Sequence, residues 1–375
     1  MTDTAISFLG GPPAAPSLVL VGSLGTTRAV WADQVNALRP WFRLLVVEHP
    51  GHGGAGVPEG QGSLDALGKR LLRLLDQLGA ERCYFAGLSL GGLVGMWLAS
   101  RHPERVERLA VICSAARFDS ATFGERASLV RDRGLGAVAP SVLSRWFTEP
   151  FAQDHPEVTA KYAAIFSSVD PAGYAYCCEA IASADLRADL SRIQAPTLVL
   201  GGALDPVVPP AIATRVAGAI KGSLLCVLPS TAHLANVEKP DQINEILLNH
   251  LLGTTLERGL RVRKSALGSR HVEQALATSS EISGDFQDLL SRWPWGAIWA
   301  RPGLDRRTRR LLTIALLVAL NRPEELRMHI RQALSDDVTV AELKEVLLHT
   351  AIYAGVPAAN SAFALAEQVL RNDAG

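Results

Sequence analysis

Short apolar runs of strand length recur along residues 1–253, separated by polar turns and by stretches with helical spacing. Because the apolar residues within each run are consecutive, the runs predict strands that are buried on both faces of a parallel sheet. Residues 63–78 instead carry leucines at helical spacing and end at Gly79, which predicts an amphipathic helix against that sheet. The predicted strands are residues 18–21, 44–47, 83–86, 106–113, 196–200 and 224–228. We therefore expect a doubly wound α/β sheet.

The strand pattern is interrupted once and then ends, and this predicts the domain organisation. Residues 118–190 are helical or irregular in pattern, and we expect them to form a helical cap over an active site. From residue 281 onward the hydrophobic period is helical throughout, so residues 281–375 predict a separate all-α domain. Residues 254–280 have few large apolar side chains and are expected to be a linker with a first short element. The α/β domain is thus predicted to span residues 1–253.

Composition narrows the class of partner. The chain has 375 residues, of which 48% are hydrophobic, enough for two domains, and 37 basic residues balance 37 acidic ones. This neutrality predicts no nucleic-acid partner and no membrane surface, and it favours small molecules. The N-terminal residues lack a secretory pattern, and no apolar stretch reaches the ~18 residues of a membrane span. We therefore expect a soluble, cytoplasmic protein.

The cysteines do not predict a crosslink or a metal site. The chain has five of them, with neither C-x-x-C spacing nor an even number. We interpret them as small buried hydrophobic residues, and we expect no disulfide and no structural zinc.

The segment GLSLG at residues 87–91 carries the clearest chemical motif. It follows a predicted strand and precedes a helix-like run, so the local order is strand, sharp turn, helix. A G-x-S-x-G motif in that setting is typical of a nucleophile elbow, in which a strained turn lifts the serine hydroxyl above the carboxyl edge of the sheet. We predict that Ser89 is the nucleophile; the alternative is a glycine-rich turn without chemistry.

Two further residues complete a candidate catalytic triad. Asp205 lies in the loop after predicted strand 196–200, and His233 lies in the loop after predicted strand 224–228. The chain order Ser, Asp, His is that of α/β-hydrolases, and each member follows a strand, as the geometry of that fold requires. We predict that Asp205 is the triad acid and His233 the general base. The alternatives are an Asx-turn before Pro206 for the aspartate and a turn or capping role for the histidine.

Loops near the same sheet edge hold the remaining candidates of this domain. The loop at residues 22–26 follows the first predicted strand, and the backbone N–H of Leu24 is a candidate oxyanion donor. His49 and His52, in the turn after the second strand, are expected to be structural. Arg117 follows strand 106–113 and is predicted to point a guanidinium toward a substrate carboxylate, with a solvated surface arginine as the alternative.

The helical domain offers one pair of residues. Glu325 and His329 are four positions apart, so on a helix they are neighbours and the carboxylate can orient the imidazole. An ordinary surface pair is the alternative. A metal site is disfavoured because the pattern H-E-x-x-H is absent.

Several stretches resemble two enzyme families of the protocatechuate branch of the β-ketoadipate pathway. The first domain resembles 3-oxoadipate enol-lactonase through GSLGT at residues 22–26, GLSLGG at 87–92 and AAR at 115–117. The second resembles 4-carboxymuconolactone decarboxylase through WGAIWARPGLD at residues 295–305 and AIYAGVPAAN at 351–360. The second set is long and diagnostic, whereas the first set fits many esterases and depends on its neighbour. The resemblance implies an α/β-hydrolase sheet with a helical cap, followed by an all-α carboxymuconolactone-decarboxylase-like domain.

The resemblance also implies two reactions on carboxylated lactones. The helical domain would decarboxylate 4-carboxymuconolactone without a cofactor, with His329 protonating the resulting dienolate and Glu325 orienting the imidazole. The enol-lactone formed would be hydrolysed to 3-oxoadipate in the first domain by Ser89, with the N–H groups of Leu24 and Leu90 stabilising the oxyanion. The candidates for binding a substrate carboxylate in the helical domain are Arg331 or one of Arg306, Arg307, Arg309 and Arg310.

Two other interpretations stay open at this point. The first domain is compatible with a general carboxylesterase, and the helical domain with a non-catalytic oligomerisation module. In either case we expect a homo-oligomer formed through the C-terminal domain.

Overall fold

The apolar runs of the first part form one seven-stranded sheet, in the order β1-β3-β2-β4-β5-β6-β7. The computed structural model describes residues 5–13, 15–301, 304–336 and 338–373, and it divides the chain into two units, residues 1–251 and 252–375. The strands are β1 Ile6–Phe8, β2 Ser17–Val21, β3 Arg43–Val47, β4 Cys83–Leu88, β5 Val106–Ile112, β6 Thr197–Gly202 and β7 Leu224–Leu228. The expected doubly wound α/β fold is confirmed.

Only β1 has no counterpart in the predicted set. It is three residues long, partly exposed, and runs antiparallel to β3, whereas all other neighbours in the sheet are parallel. A strand this short and this exposed leaves no apolar run in the sequence. The parallel strands have their carboxyl ends at one edge, and the loops that carry the candidate triad leave β4, β6 and β7 at that edge.

Helices cover both faces of the sheet and form the expected cap. Those packed with the sheet are α1 Ala32–Leu38, α2 Leu64–Gln77, α3 Leu90–Arg101, α9 Pro210–Ala219, α10 Ala235–Glu238 and α11 Pro240–Leu252. Between β5 and β6 the chain forms α4 Ser120–Arg133, α5 Ala139–Leu143, α6 Glu149–Asp154, α7 Pro156–Ser167 and α8 Pro171–Ala182. The predicted amphipathic helix is α2, whose leucines are buried and whose N-terminus is capped by Ser63.

The second unit is helical. Its helices are α12 Thr255–Leu267, α13 Ser269–Ala277, α14 Glu281–Leu290, α15 Arg306–Ala319, α16 Pro323–Asp336, α17 Val340–Ala354 and α18 Val356–Asp373, with a π-helix at Ser291–Trp299. Apolar faces of α15 to α18 form one core, which includes Ile314, Leu326, Ile330, Leu343 and Val369. Pro302 and Gly303 of the diagnostic motif lie outside the described residues.

The stretch 254–280 differs from the expected linker. It folds into α12 and α13, and α12 begins with a capping box between Thr254 and Glu257. Helix α12 approaches the π-helix closely at Gly259, where a Cβ would lie 1.7 Å from the carbonyl oxygen of Ser291. A small apolar cluster that includes Leu267, Val272 and Trp295 is buried in the same region. The sequence pattern does not reveal this packing, because a glycine adds nothing to hydrophobic periodicity and the apolar residues of the cluster are few.

Two features, a membrane-spanning helix and a metal-binding cluster, are absent from the described residues. Of the helices in that part of the chain, none has the length and apolarity that crossing a membrane requires. No group of three His, Cys, Asp or Glu side chains within it is arranged to hold a metal ion. The cytoplasmic location stays a prediction.

Candidate active site

The turn after β4 holds Ser89 in a backbone conformation that side chains rarely adopt. Its φ is 53°, and its N–H donates to the carbonyl of Ile112 at 2.8 Å. The glycines on each side are required by close approach: a Cβ on Gly87 would lie 2.2 Å from the Gly91 carbonyl oxygen, and one on Gly91 would lie 2.0 Å from the Val21 carbonyl oxygen. The turn is therefore the strained elbow that the motif predicts.

His233 lies between Ser89 and Asp205, although the three residues are far apart in sequence. Its Nε2 is 2.9 Å from the Ser89 Oγ, and its Nδ1 is 2.9 Å from the Asp205 Oδ2. All three side chains are buried. Since an ionised carboxylate only accepts hydrogen bonds, Nδ1 carries the proton, and Nε2 is left to accept the serine proton.

The environment of Asp205 keeps its carboxylate ionised. Burial raises its pKa, but the nearby His233 and the hydrogen bonds it accepts outweigh this, so the net pKa lies below its ordinary value. The Oδ1 atom accepts from the N–H groups of Val207 and Val208 at 2.8 and 3.0 Å. These bonds fix the carboxylate and leave Oδ2 for His233.

The predicted oxyanion donors lie at the start of α3 and in the loop after β2. The backbone N–H groups of the next residues already have acceptors. The Gly91 N–H donates to the Gly22 carbonyl at 3.0 Å, and the Gly25 N–H donates to His52 Nε2 at 2.9 Å. Leu24 lines the same cavity as Ser89 and His233, and Leu90 directly follows the nucleophile. The N–H groups of Leu24 and Leu90 thus stay the candidate donors.

His49 and His52 are buried and hold the loop after β2. His49 Nε2 is 2.9 Å from the Gly22 carbonyl oxygen. Burial lowers the pKa of His49 to about 3 and that of His52 to about 4, so both rings are neutral at pH 7. The two histidines therefore have a structural role, as expected: they support the candidate oxyanion loop at residues 22–26.

The cap closes over Ser89 and forms a cavity of about 190 Å³ with polar groups on its cap side. Arg126 of α4, Arg145 after α5 and Tyr174 of α8 all line it. The Tyr174 hydroxyl is buried, and its nearest cation is the Arg126 guanidinium. Burial raises the pKa of Tyr174, so the hydroxyl keeps its proton and is available to donate. Sequence analysis missed these three residues. The cap has no strands, so its sequence pattern does not show which of its polar side chains face the active site.

Arg117, the predicted carboxylate ligand, is placed elsewhere. It lines a different cavity, one that does not include Ser89, and its Nε is 4.0 Å from the Asp185 carboxylate. The reason is that the chain turns after Cys113, and it is Phe118, not Arg117, that reaches the serine cavity. The structure therefore does not bring Arg117 to the triad.

In the second unit, Glu325 and His329 share α16 as predicted, but they differ in burial. His329 is buried and its ring centroid is 6.2 Å from that of Trp299 in the π-helix, whereas Glu325 is exposed. Burial and the nearby Arg310 lower the pKa of His329 to about 4, while Glu325 opposes this shift. Within the described residues no hydrogen bond joins the two side chains, so the orientation of His329 by Glu325 stays a prediction.

The candidate arginines of this unit have different surroundings. Arg310 is buried and donates to the carbonyl of Gln332 at 2.7 Å and to the Asp336 carboxylate at 2.8 Å, which gives it a structural role. Arg306 pairs with Asp336, and Arg307 pairs with Glu342. Arg309 donates to the carbonyls of Leu304 and Arg301. Arg331 is exposed on α16, two residues after His329.

Comparison with known proteins assigns each unit to a family. Residues 16–240 match the family model of the alpha/beta hydrolase fold. The chain is 37% identical over 244 residues to 3-oxoadipate enol-lactonase 2 of Acinetobacter baylyi, an alignment that covers 64% of this chain and 91% of that protein. It also superposes on the crystal structure of the enol-lactonase from Burkholderia xenovorans LB400 with a TM-score of 0.64 and 38% identity, covering 66% of this chain and 95% of that one.

The second unit has its own relatives. Residues 284–368 match the model of the carboxymuconolactone decarboxylase family. The chain is 48% identical over 116 residues to 4-carboxymuconolactone decarboxylase of Acinetobacter baylyi, an alignment that covers 31% of this chain and 87% of that protein. The chain therefore belongs to the alpha/beta hydrolase fold family through its first unit and to the carboxymuconolactone decarboxylase family through its second, as a fusion of the two.

Proposed function

We propose that the chain is a bifunctional enzyme of aromatic catabolism that decarboxylates 4-carboxymuconolactone and hydrolyses the resulting enol-lactone to 3-oxoadipate. The observation that carries the proposal is the unbroken chain of hydrogen bonds from Ser89 through His233 to Asp205. It stands in a domain that is 37% identical to an enol-lactonase, fused to a domain that is 48% identical to a 4-carboxymuconolactone decarboxylase.

Hydrolysis in the first unit follows from this geometry. The Ser89 Oγ attacks the lactone carbonyl while His233 Nε2 takes its proton, and the N–H groups of Leu24 and Leu90 stabilise the oxyanion. The ring C–O bond then breaks, and His233 returns the proton to the enol oxygen, which tautomerises to the ketone. A water molecule, deprotonated by His233, then attacks the carbonyl of the acyl-enzyme. That carbonyl becomes the second carboxylate of the 3-oxoadipate that is released.

The cap supplies recognition of the carboxylate that the enol-lactone carries outside its ring. Arg126 and Arg145 provide positive charge at the cavity wall, and Tyr174 provides a buried hydroxyl near Arg126. A bound carboxylate accepts a hydrogen bond from that hydroxyl and pairs with a guanidinium, and a neutral ester cannot form this ion pair. This favours a lactonase for carboxylated substrates over a general carboxylesterase.

Decarboxylation in the second unit requires only that the lactone accept an electron pair. When carbon dioxide leaves, the pair is delocalised into the unsaturated lactone as a dienolate, which then takes a proton at carbon. His329 is the donor; its imidazole is neutral in the free site because its pKa is about 4. An anionic substrate bound beside it raises this pKa, in the same direction as Glu325 does, and so favours the protonated ring. Arg331 is the candidate for the substrate carboxylate.

The second unit also carries the surface for self-association. Large apolar side chains are exposed along one stripe of α15, at Leu312 and Leu316, and at Leu320 directly after it, with further ones at Ile352 and Tyr353 of α17. A stripe at this spacing is one helix face, and exposed apolar faces of this kind mark interfaces. The proposal therefore includes a homo-oligomer formed through this unit. Light scattering on a Leu316→Lys variant tests it, with a fall in mass expected and an unchanged mass contradicting it.

The deciding experiment uses the purified full chain with 4-carboxymuconolactone and follows substrate loss and 3-oxoadipate formation separately. The parent should carry out both steps, whereas Ser89→Ala should decarboxylate at the parent's rate and accumulate enol-lactone. Ser100→Ala is a matched control, because this buried hydroxyl donates to the Trp97 carbonyl within α3 and lies outside the triad. If Ser89→Ala still forms 3-oxoadipate above the spontaneous rate, the triad assignment is wrong. If the parent does not consume 4-carboxymuconolactone, the function proposed for the second unit is wrong.

A further inference from the structure

Glu238, at the end of α10, is a buried carboxylate that the proposed chemistry does not use. Its two oxygens accept from different parts of the first unit. The Oε2 atom accepts from the backbone N–H of Ala232 at 2.7 Å, directly before His233. The Oε1 atom accepts from the hydroxyl of Thr148, and from the Thr148 N–H at 3.2 Å, in the cap. The side chain therefore joins the histidine loop to the cap.

The other side of His233 is held by the same cap segment. The backbone N–H of Leu234 donates to the carbonyl of Trp146 at 2.9 Å. The N–H groups on both sides of His233 are thus bonded to the cap, one directly and one through Glu238. The imidazole position relative to Ser89 depends on where residues 146–148 lie.

This segment is also part of the substrate cavity. Arg145 and Trp146 line the cavity that contains Ser89 and His233. Arg145 directly precedes Trp146 and lies three positions before Thr148 in the chain. An anion that binds Arg145 therefore acts on the same segment that holds the histidine loop. A displacement of the imidazole by about 1 Å can cost ~10²-fold in rate, so small movements of this segment are sufficient to affect catalysis.

We propose that Glu238 is a positioning residue that couples occupancy of the cap's carboxylate site to the placement of His233. The inference rests on the proposed function in taking a carboxylate-bearing substrate to contact Arg145. A substrate with a carboxylate draws the cap segment into place, and Glu238 and the Trp146 carbonyl transmit this to the histidine loop. A neutral ester does not bind Arg145, so it does not move the segment, and its hydrolysis does not depend on the link through Glu238.

The test compares two esters, the neutral 4-nitrophenyl acetate and the anionic mono-4-nitrophenyl succinate, on the full chain. In Glu238→Gln the amide has only one accepting oxygen, so it cannot accept from both the Ala232 N–H and the Thr148 N–H, and its NH2 group faces one of these donors. We expect kcat for the anionic ester to fall about tenfold with KM within about twofold, and kcat for the acetate to change less than about twofold. Thr148→Val, which removes the hydroxyl bond to Glu238 and keeps the backbone N–H bond, should act in the same direction with a smaller effect, and Thr148→Ser should restore the parent's kcat.

A matched control is Thr197→Val, because the buried Thr197 hydroxyl bonds only locally, to the Ala195 carbonyl, away from the site. It should leave both kcat values unchanged. Equal losses on the two esters, or loss of thermal stability with kcat intact, would overturn the coupling and make Glu238 a structural residue. Both esters are independent of the lactone, so a parent that cleaves them but not the enol-lactone refutes the proposed substrate without affecting this test.

Discussion

His52 accepts a hydrogen bond at Nε2 from the backbone N–H of Gly25, at a distance of 2.9 Å. Its Nδ1 is 2.8 Å from the carbonyl oxygen of Pro50, which can only accept, so Nδ1 carries the proton. Burial holds the pKa of this ring at about 4. The neutral imidazole therefore joins the turn after β3 to the loop that presents the Leu24 N–H.

Replacement of His52 should impair the oxyanion site without removing any triad member. We expect His52→Ala to lower kcat for ester hydrolysis about tenfold, less than the ~10²–10³-fold loss when an oxyanion donor itself is removed, because Leu24 keeps its N–H and loses only its support. Steady-state kinetics with a nitrophenyl ester measures this. His271→Ala, at an exposed histidine of the second unit, is the control. An unchanged kcat in His52→Ala would mean that the loop does not need this support.

The buried histidines should make the first unit less stable in acid. The pKa is lowered by burial to about 3 in His49 and to about 4 in His52 and His250, from an ordinary value of 6.5. Between pH 6.5 and these lowered pKa values, the histidines are protonated in the unfolded chain and neutral in the native state. The stability that the neutral histidines contribute is therefore complete above pH 6.5 and is lost as the pH falls toward 4. The loss is several kcal/mol in total, at about 1.4 kcal/mol per pKa unit.

Urea unfolding of the first unit at about pH 7, 6 and 5 tests this, with a midpoint that decreases at each step. His52→Ala should be less stable than the parent at pH 7 but should show a shallower dependence on pH. His271→Ala should keep the parent's dependence. A midpoint that is constant from pH 7 to 5 would show that these rings are not kept neutral by the fold.

The cap, and not Arg117, should determine the preference for carboxylated substrates. We expect Arg145→Gln to raise KM for the enol-lactone about tenfold, since one charge-assisted hydrogen bond is lost, and to leave KM for a neutral ester within about twofold. Arg117→Gln is the matched control, because Arg117 lies in the other cavity. Parallel kinetics on the two substrates decide the matter. A larger effect of Arg117→Gln than of Arg145→Gln would restore the original assignment.

His329 separates a catalytic second unit from an assembly module. His329→Ala should lower decarboxylation by roughly 10²–10⁴-fold, the loss typical of a removed general acid, while hydrolysis of supplied enol-lactone stays at the parent's rate. Glu325→Gln should lower it less, because only the opposing charge near the imidazole is removed. The assay is loss of 4-carboxymuconolactone, with oligomeric mass as the control for assembly. Decarboxylation within a few-fold of the parent would make the helical unit a structural module.

Much of this protein could be predicted from local sequence. Consecutive apolar residues are readable as parallel strands because burial on both faces leaves no polar position to interrupt them. The elbow at Ser89 is readable because its glycines have a fixed spacing within five residues, where the backbones of Gly87 and Gly91 are in contact. Asp205 and His233 follow from their places after strands, since parallel strands bring their carboxyl ends to one edge. The family resemblance of both units rests on motifs of the same local kind.

The residues that only the tertiary structure identified lie where no such regularity exists. The cap has no strands and hence no register, so periodicity could not select Arg126, Arg145 and Tyr174 or direct Arg117 away from the serine cavity. The close approach of α12 to the π-helix occurs at Gly259, a residue without a side chain, so the hydrophobic pattern does not show it.

Burial and pairing were likewise decided by the fold. Glu325 and His329 have the predicted spacing, but whether a helix face is covered depends on neighbouring helices, which left His329 buried and Glu325 exposed. The partners of Glu238 come from segments about 90 residues apart, Thr148 and Ala232. Local sequence determines which strands and helices form and where chemistry follows a strand, because those constraints act over a few residues. Which polar groups are desolvated and which face each other depends on contacts between distant segments, and only the folded chain decides them.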